Sequence, residues 1–287
     1  MKTVIITGGN SGLGYETAKH VAMTGGDYSV VLACRNTEKG FSAAQKLTQE
    51  TGSKNIRVMQ LDLASLASVR EFSAKITGQI YALDNNAGIA GNSSGLTVDG
   101  IDSVFQSNHL GHFLLTNLLL PKMTDDARIL NISSDMHNPP QGPLTWYGVD
   151  YLAHPSEDLG SARYFYSKLC NLYFTYELDR RLRESGSRIT CNALNPGFMG
   201  NTNLSPGGTM TQERINWVKQ NMSERFGDLG ESSSAAAELL TSEEFAGVSG
   251  KYFNMSTNTK ESSELSYSLE NARELWEESE KLCGGLL

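Results

Sequence analysis

Six short apolar runs rich in β-branched residues, at 4–7, 29–33, 56–61, 82–85, 128–132 and 190–194, alternate with helix-length amphipathic stretches near 12–24, 37–52, 65–76, 98–123 and 161–185. No other feature constrains the fold as much. Parallel neighbours need crossover connections, usually helical, so this alternation predicts an α/β chain: a doubly wound parallel sheet with helices on both faces. Two stretches break the rhythm. Residues 135–160 carry Pro139, Pro140, Gly142, Pro143 and Pro155 and form a long irregular connection, of the kind that is usually functional or disordered. Residues 197–230 hold Gly200, Pro206, Gly207 and Gly208, followed by a short amphipathic segment with Ile215, Trp217, Val218 and Met222. This resembles a helical flap after the carboxyl end of a strand, where ligands bind in such an architecture. No internal repeat is visible.

With 287 residues, 39% of them hydrophobic, the chain can bury one large core, so one domain spanning 1–287 is expected. A formal net charge of −8 without any basic run argues against a nucleic-acid backbone or an anionic membrane surface as partner. The four cysteines, Cys34, Cys170, Cys191 and Cys283, have no CxxC spacing and suggest neither zinc nor a disulfide framework. They read as free thiols in a reducing compartment. The chain enters its first apolar run at Thr3 with no charged leader and no long apolar stretch, which predicts a soluble cytoplasmic protein without a membrane anchor.

The first strand run leads directly into Thr7-Gly-Gly-Asn-Ser-Gly-Leu-Gly14 and then a helix. Gly8, Gly12 and Gly14 permit a tight turn, close approach of backbone amides to a pyrophosphate, and close helix–sheet packing, while the helix amino terminus favours anions. A dinucleotide is the expected ligand. The second strand run ends in Ala33-Cys-Arg-Asn36, with Arg35 where a site selective for a free ribose 2′-hydroxyl would carry an acid. An arginine there can pair with a 2′-phosphate, which predicts NADP(H). Ser11 and Lys39 are open to roles beside the phosphates or as plain cap and helix residues. Asp62, after the third run, can accept from an adenine amino group or cap the helix that follows.

Tyr164 and Lys168 lie four residues apart in Ser161-Ala-Arg-Tyr-Phe-Tyr-Ser-Lys168, which stacks them on one helix face, where an ammonium would lower the phenol pKa. Tyr15 and Lys19 share the spacing but ride the helix under the pyrophosphate, and are expected to be a surface or packing pair. Tyr164 differs because it follows the run ending in Asn131-Ile-Ser-Ser134, which can bring a second hydroxyl to the same substrate oxygen.

The glycine loop, Asp62, Asn85-Asn-Ala-Gly88, Asn108, Ser134, Tyr164 with Lys168, and Asn195-Pro-Gly197 occur in an order that resembles the short-chain dehydrogenase/reductase family along nearly the whole chain. Within it, Ser107-Asn-His-Leu-Gly-His-Phe-Leu-Leu-Thr116, Tyr166-Ser-Lys-Leu-Cys-Asn171 and Gly250-Lys-Tyr-Phe253 look like the retinol dehydrogenase and protochlorophyllide reductase-like branch. The resemblance implies a Rossmann fold and a catalytic tetrad. In it Tyr164 gives the proton, Ser134 holds the oxygen, Lys168 binds the nicotinamide ribose, and Asn108 holds a water linking Lys168 to solvent. It also implies NADP(H) contacts from Gly8, Asn10, Ser11, Gly12, Leu13, Gly14, Arg35, Asp62, Leu63, Asn86, Ala87, Gly88, Tyr164, Lys168, Pro196 and Gly197. Adjacent strand residues face opposite ways, so of Ser133 and Ser134 only the second should meet the substrate. Tyr166 is expected in the core or an interface.

Thr202 follows the Pro-Gly turn later than the threonine that bonds the carboxamide in many members. Phe198, Met199, Met210, Trp217, Met222 and Phe226, with Met136, His137, Trp146 and Tyr147 from the irregular connection, can line an apolar pocket; His137 is otherwise a solvated residue. The implied activity is reduction of an apolar ketone or aldehyde, or the reverse alcohol oxidation. Double-bond reduction fits less well, because that branch carries a cysteine where Phe198 stands and a threonine in place of Ser134. A non-catalytic NADP(H)-binding regulator would tend to lose the tyrosine or lysine, which are both present. Relatives often form dimers or tetramers through the helices near 98–123 and 161–185, and Leu169, Leu172, Phe174 and Leu178 suit either a core or such an interface.

Overall fold

The computed structural model describes residues 1–25, 27–90, 95–156, 158–199, 204 and 211–285. Strands β1 (Lys2–Thr7), β2 (Tyr28–Cys34), β3 (Ile56–Gln60), β4 (Ile80–Asn85), β5 (Met123–Ile132), β6 (Thr190–Asn195) and β7 (Tyr252–Asn254) form one sheet in the order β3-β2-β1-β4-β5-β6-β7. Every pairing in it is parallel. The helices are α1 (Gly12–Met23), α2 (Thr37–Thr51), α3 (Leu66–Lys75), α4 (Ser103–Phe105), α5 (Gly111–Leu119), α6 (Val149–Ala153), α7 (Ala162–Glu184), α8 (Gln212–Asn221), α9 (Leu229–Thr241) and α10 (Leu269–Leu282). The doubly wound parallel sheet expected from the alternation is present. Chain direction across the sheet reverses between β1 and β4, and the crevice outside the carboxyl ends of strands at such a switch point is where this architecture binds ligands.

Strand side chains alternate between two helical layers. Val4, Ile6, Val30, Leu32, Leu130 and Ile132 pack under α1, α2 and α9. Ile5, Val31, Leu83 and Ile129 face the other way, with Val69, Phe113, Tyr173 and Trp276 from α3, α5, α7 and α10. Small residues at Ala235, Ala236 and Ala237 let α9 lie close against α1.

The stretch 98–123, expected as one helix, is not one. Asp102 caps α4 by accepting from Val104 and Phe105 amides, and the chain then widens into a π-helix over Gln106–Leu110 before α5 and a terminal 3-10 turn, Leu120–Lys122, that begins beside Pro121. Close packing fits the change of pitch: a Cβ on Gly111 would meet the Leu63 carbonyl oxygen at 2.6 Å. Asp102 also accepts from Arg163 Nε at 2.7 Å in a buried pair, which ties this segment to α7.

The apolar runs and helix-length stretches expected from the sequence stop short of residue 230, and beyond them the structure has α9, β7 and the amphipathic α10. Trp276 of α10 contacts Phe113 edge-on at 5.0 Å between ring centroids and lies 5.9 Å from Phe174, while Arg181 covers its ring at 4.2 Å. Leu169, Leu172, Phe174 and Leu178 are all buried within the chain. Of the two alternatives left open for them, the core is the one observed.

Candidate active site

The glycine loop leaves β1 at Thr7, and Gly8 and Gly12 take φ angles of +67° and +56°, a region that favours residues without a Cβ. Gly14 is constrained by space: a Cβ there would sit 2.4 Å from Asn86 Nδ2. Asn86 and Ala87 return from β4 to hold the loop from behind. Their amides both donate to Thr7 Oγ1 at 2.9 Å, and Asn86 Nδ2 donates to the Thr7 carbonyl at 2.6 Å.

Helices α2, α3, α9 and α10 have their amino termini capped by the side chains of Asn36, Ser65, Asp228 and Ser268. Helix α1 differs. Ser11 stands at its cap position in extended conformation without a side-chain bond, and its first turn contains no acid. A twelve-residue helix thus points partly unsatisfied N–H groups and the positive end of its dipole at the β1/β4 crevice. The glycine turn and this terminus fit a dinucleotide pyrophosphate.

On the other side of the crevice, β5 ends in Ile132 and the next two serines diverge. Ser133 Oγ is buried and donates to the Lys168 carbonyl at 2.9 Å, whereas Ser134 faces the Tyr164 phenol. Lys168 is buried, with Nζ donating to the Ile132 carbonyl at 2.9 Å and lying 5.4 Å from the centre of the Tyr164 ring. Burial pulls the Lys168 ammonium down to about 8.

Burial also pushes the Tyr164 phenol up to about 12, with the Ser134 hydroxyl acting in the opposite direction. The expectation that Lys168 would set the phenol pKa is therefore corrected for the chain by itself: desolvation of the phenolate is the dominant influence. Asn108 sits in the π-helix, a feature frequent at functional sites. Its Oδ1 accepts from the Ile89 amide at 2.8 Å, while Nδ2 donates to the Ile89 carbonyl and to Ser167 Oγ, which in turn donates to the Tyr164 carbonyl. Asn108 thus joins the loop that follows β4 to the helix that carries Tyr164 and Lys168.

Thr7 and His112 are two contributors that sequence reasoning did not single out. His112 is buried, with Nδ1 3.1 Å from the Asn108 carbonyl and Nε2 2.9 Å from Thr7 Oγ1. The network assigns the proton to Nδ1, so that Nε2 accepts the Thr7 hydroxyl. Desolvation holds this ring down at about 4, which keeps it neutral and able to serve both roles. The available signal was its i+4 spacing from Asn108, which puts both on one helical face.

Arg35 is exposed at the carboxyl end of β2, and no acid pairs with it among the described residues. Lys39 is exposed, its amide donating to the Asn36 cap. Asp62 Oδ1 accepts from the Ala64 amide in a turn ahead of α3, whose cap is Ser65 and not Asp62, while the buried Leu63 backs Gly111. Leu13 is buried in the α1 face of the core, and Asn10 is half-buried in the glycine turn. Gly88 lies against Asn108, 3.3 Å from Oδ1 to an added Cβ. The Pro196 carbonyl accepts from Ser232 Oγ at 2.9 Å, and Gly197 has φ +77° with Gly227 packed against it. Tyr15 and Lys19 both contact Glu50 of α2, in keeping with a packing pair. Tyr166 is buried, its hydroxyl donating to the Thr145 carbonyl.

The pocket candidates divide. Phe198 and Phe226 pair across a short bridge with ring centroids 6.0 Å apart, and Arg225 reaches Met136 Sδ at 4.0 Å. Met222 is half-buried and Trp217 is 46% exposed, whereas Met199 packs against the α1-side core. Trp146 is corrected from pocket to scaffold, because its Nε1 donates to Glu274 of α10 at 2.7 Å and its ring meets Tyr173. Tyr147 is exposed, and its ring lies 4.9 Å from that of Tyr151, tilted by 52°. His137 is not solvated. It is buried, with Nδ1 2.7 Å from the Ser134 carbonyl and Nε2 accepting from the Ser263 amide at 3.0 Å, so neither nitrogen is left for a substrate oxygen. Thr202 and Met210 lie outside the described residues.

The family model for short chain dehydrogenases matches residues 2–149. This chain is 40% identical over 296 residues to retinol dehydrogenase 13 of Homo sapiens, an alignment covering 99% of this chain and 85% of that one. It is also 33% identical to short-chain dehydrogenase TIC 32 B, chloroplastic, of Brassica napus, covering 99% and 89%. A crystal structure of an uncharacterized protein from Mycobacterium Paratuberculosis superposes with a TM-score of 0.77 at 32% identity, covering 99% of this chain and 94% of that one. The chain belongs to the short-chain dehydrogenase family of oxidoreductases. Within that family it falls in the retinol dehydrogenase-like branch. No helix among the described residues is long and apolar enough to cross a membrane.

Proposed function

We propose that this chain, acting as one domain over 1–287, is an NADPH-dependent reductase of a ketone or aldehyde carbon in an apolar small molecule, running in reverse as an alcohol dehydrogenase. One arrangement carries the assignment: the Ser134 hydroxyl, the Tyr164 phenol and the Lys168 ammonium lie together after β5, across the switch-point crevice from an uncapped helix terminus. The glycine turn and α1 would hold the pyrophosphate, and exposed Arg35, which no acid pairs among the described residues, would hold a 2′-phosphate. Asp62, Leu63, Asn86, Ala87, Gly88, Pro196 and Gly197 would border the remainder of the cofactor. When bound, the reduced nicotinamide supplies the hydride.

The residues of the chain manage the other half of the reaction. As hydride arrives at the carbonyl carbon, the C=O bond becomes a C–O single bond whose oxygen takes the phenol proton of Tyr164 and a hydrogen bond from Ser134. Charged Lys168 beneath the ring favours the phenolate that remains, and the water-linked relay proposed at Asn108 returns the proton. A phenol held near 12 is protonated throughout the neutral range. That suits the reducing direction, while the reverse reaction needs the phenolate and should gain rate at alkaline pH. Four buried free thiols support a reducing, cytoplasmic setting.

The test follows NADPH absorbance against aliphatic, aromatic, quinone and steroid carbonyl compounds, with NADH alongside. Tyr164→Phe should lower kcat roughly 10²- to 10⁴-fold while cofactor fluorescence titration is unchanged. Turnover by Tyr164→Phe close to that of the parent, or a parent inactive on the whole panel, defeats the assignment.

A further inference from the structure

The 3-10 turn Asp135–His137 directly follows Ser134 and is held from outside at two points, both supplied by the C-terminal segment. Asp135 is buried. Its Oδ1 accepts from the Tyr252 hydroxyl at 3.0 Å and its Oδ2 from Lys260 Nζ at 2.9 Å, while its amide donates to Asn195 Oδ1 at 3.2 Å. Two residues later, His137 bridges the Ser134 carbonyl at 2.7 Å and the Ser263 amide at 3.0 Å, with its ring edge-on to Tyr252 at 5.4 Å between centroids. Because Nε2 accepts from a backbone amide, the ring proton lies on Nδ1 and is donated to Ser134. The same Asn195 Oδ1 accepts from Gly197, so the turn after β6 and the turn after β5 share one acceptor.

From this geometry we propose that Asp135 is a positioning residue for Ser134: anchored by Tyr252 and Lys260, and seconded by His137, it fixes where the serine hydroxyl meets the substrate oxygen. A serine on a free loop would lose the alignment that a proton-transfer site requires, and small misplacements at such sites reduce rate steeply. The Ser134 hydroxyl accepts from the Met136 amide at 3.2 Å and meets the Tyr164 phenol, a contact that would go with the proton the phenol donates, so the order of the turn rests on the contacts that Asp135 and His137 make. Lys260 is 45% exposed, so its ion pair contributes modestly, and the buried hydroxyl–carboxylate bond to Tyr252 carries more of the restraint.

The inference rests on the proposed carbonyl reduction, so its test has one arm that reads activity and one that does not. Asp135→Ala should lower kcat roughly 10- to 100-fold with cofactor affinity unchanged. Asp135→Asn, which keeps an acceptor for Tyr252, should fall between it and the parent. In a Ser134→Ala background, Asp135→Ala should have no further effect on kcat, because the group it positions is gone. An equal loss in both backgrounds, or no loss in either, overturns the proposal. Independently of turnover, Asp135→Ala should speed amide hydrogen exchange at His137 and Asn138, whose amides bond the Ser134 and Asp135 carbonyls, without changing exchange in the glycine loop. Unchanged protection at 137–138 overturns it too. A parent with no carbonyl turnover would count against the proposed activity alone, and the exchange arm would still decide the positioning role.

Discussion

Replacing Lys168 by methionine should make the folded chain more stable at neutral pH while removing its turnover. The ammonium is buried without a carboxylate partner among the described residues, and desolvation pulls it from 10.5 to about 8. At ~1.4 kcal/mol per pH unit, that depression means that keeping Lys168 charged costs the folded state roughly 3 kcal/mol. Methionine has similar length and no charge. It forfeits the bond from Nζ to the Ile132 carbonyl, worth about 1 kcal/mol, but that carbonyl still accepts from Asn171 Nδ2 at 3.0 Å and is not orphaned. The net gain is on the order of 2 kcal/mol, or roughly 3 to 4 °C in Tm for a chain of this size.

The sign of the pH dependence is fixed. Below pH 8 lysine is charged in both folded and unfolded states and the full penalty applies; between 8 and 10.5 the folded state sheds the proton first and the penalty fades; above 10.5 it vanishes. Thermal unfolding of parent and Lys168→Met, followed by circular dichroism at pH 7, 8, 9 and 10, should therefore show a gap that narrows as pH rises. A variant less stable than the parent at pH 7, or a gap constant with pH, refutes the reasoning.

Asp84 reverses that dependence. Both of its carboxylate oxygens are buried without a partner among the described residues, and burial pushes the acid well above the usual carboxylate range. The unfolded chain releases this proton near pH 4 whereas the folded chain keeps it, so parent stability falls by ~1.4 kcal/mol per pH unit above that point until the folded group ionises. Asp84→Val should raise the urea midpoint more at pH 8 than at pH 5, and equal shifts at both would contradict this. Arg35→Ala should raise KM for NADPH about tenfold or more and leave KM for NADH nearly unchanged, as steady-state kinetics with both cofactors will show. Trp276→Ala should destabilise by about 3 to 5 kcal/mol in urea unfolding, because it removes the ring lodged against Phe113 and Phe174; a cost below 1 kcal/mol would mean that α10 is not part of the core.

What could be read from the sequence followed the strength of the local pattern. The six apolar runs and the glycine turn repeat a period that few alternatives share, and their strands appear within a few residues of the expected bounds. β7 escaped because three residues are too short to carry a period, and α9 because its inward face is serine and alanine until Leu239 and Leu240 in its last turn, small residues that reflect close approach to α1 rather than hydrophobicity. The error at 98–123 has a different origin. The apolar spacing there is helical, but Gly100, the cap residue Asp102 and Pro121 bound the helical stretch, and the packing of Gly111 against Leu63 accompanies the change of pitch that sets Asn108 between Ile89 and Ser167.

The same limit applied to side-chain chemistry. Spacing placed Tyr164 above Lys168, yet spacing carries no information about desolvation, which moves both groups toward their neutral forms. Lys168 and Asp84 belong to the segments around the sheet's switch point, and each is a buried ionisable group without an opposite charge among the described residues. The fold tolerates them because Ile5, Leu83, Phe113, Leu169, Tyr173 and their neighbours supply a large apolar core on the adjoining face. Groups that lower stability and cannot be paired within the chain are expected where a charged ligand is to be received. If so, saturating NADPH should reduce the stability gap between parent and Lys168→Met, since a ligand that contacts the ammonium stabilises the parent more than the variant. An unchanged gap at saturation would mean that Lys168 does not touch the cofactor.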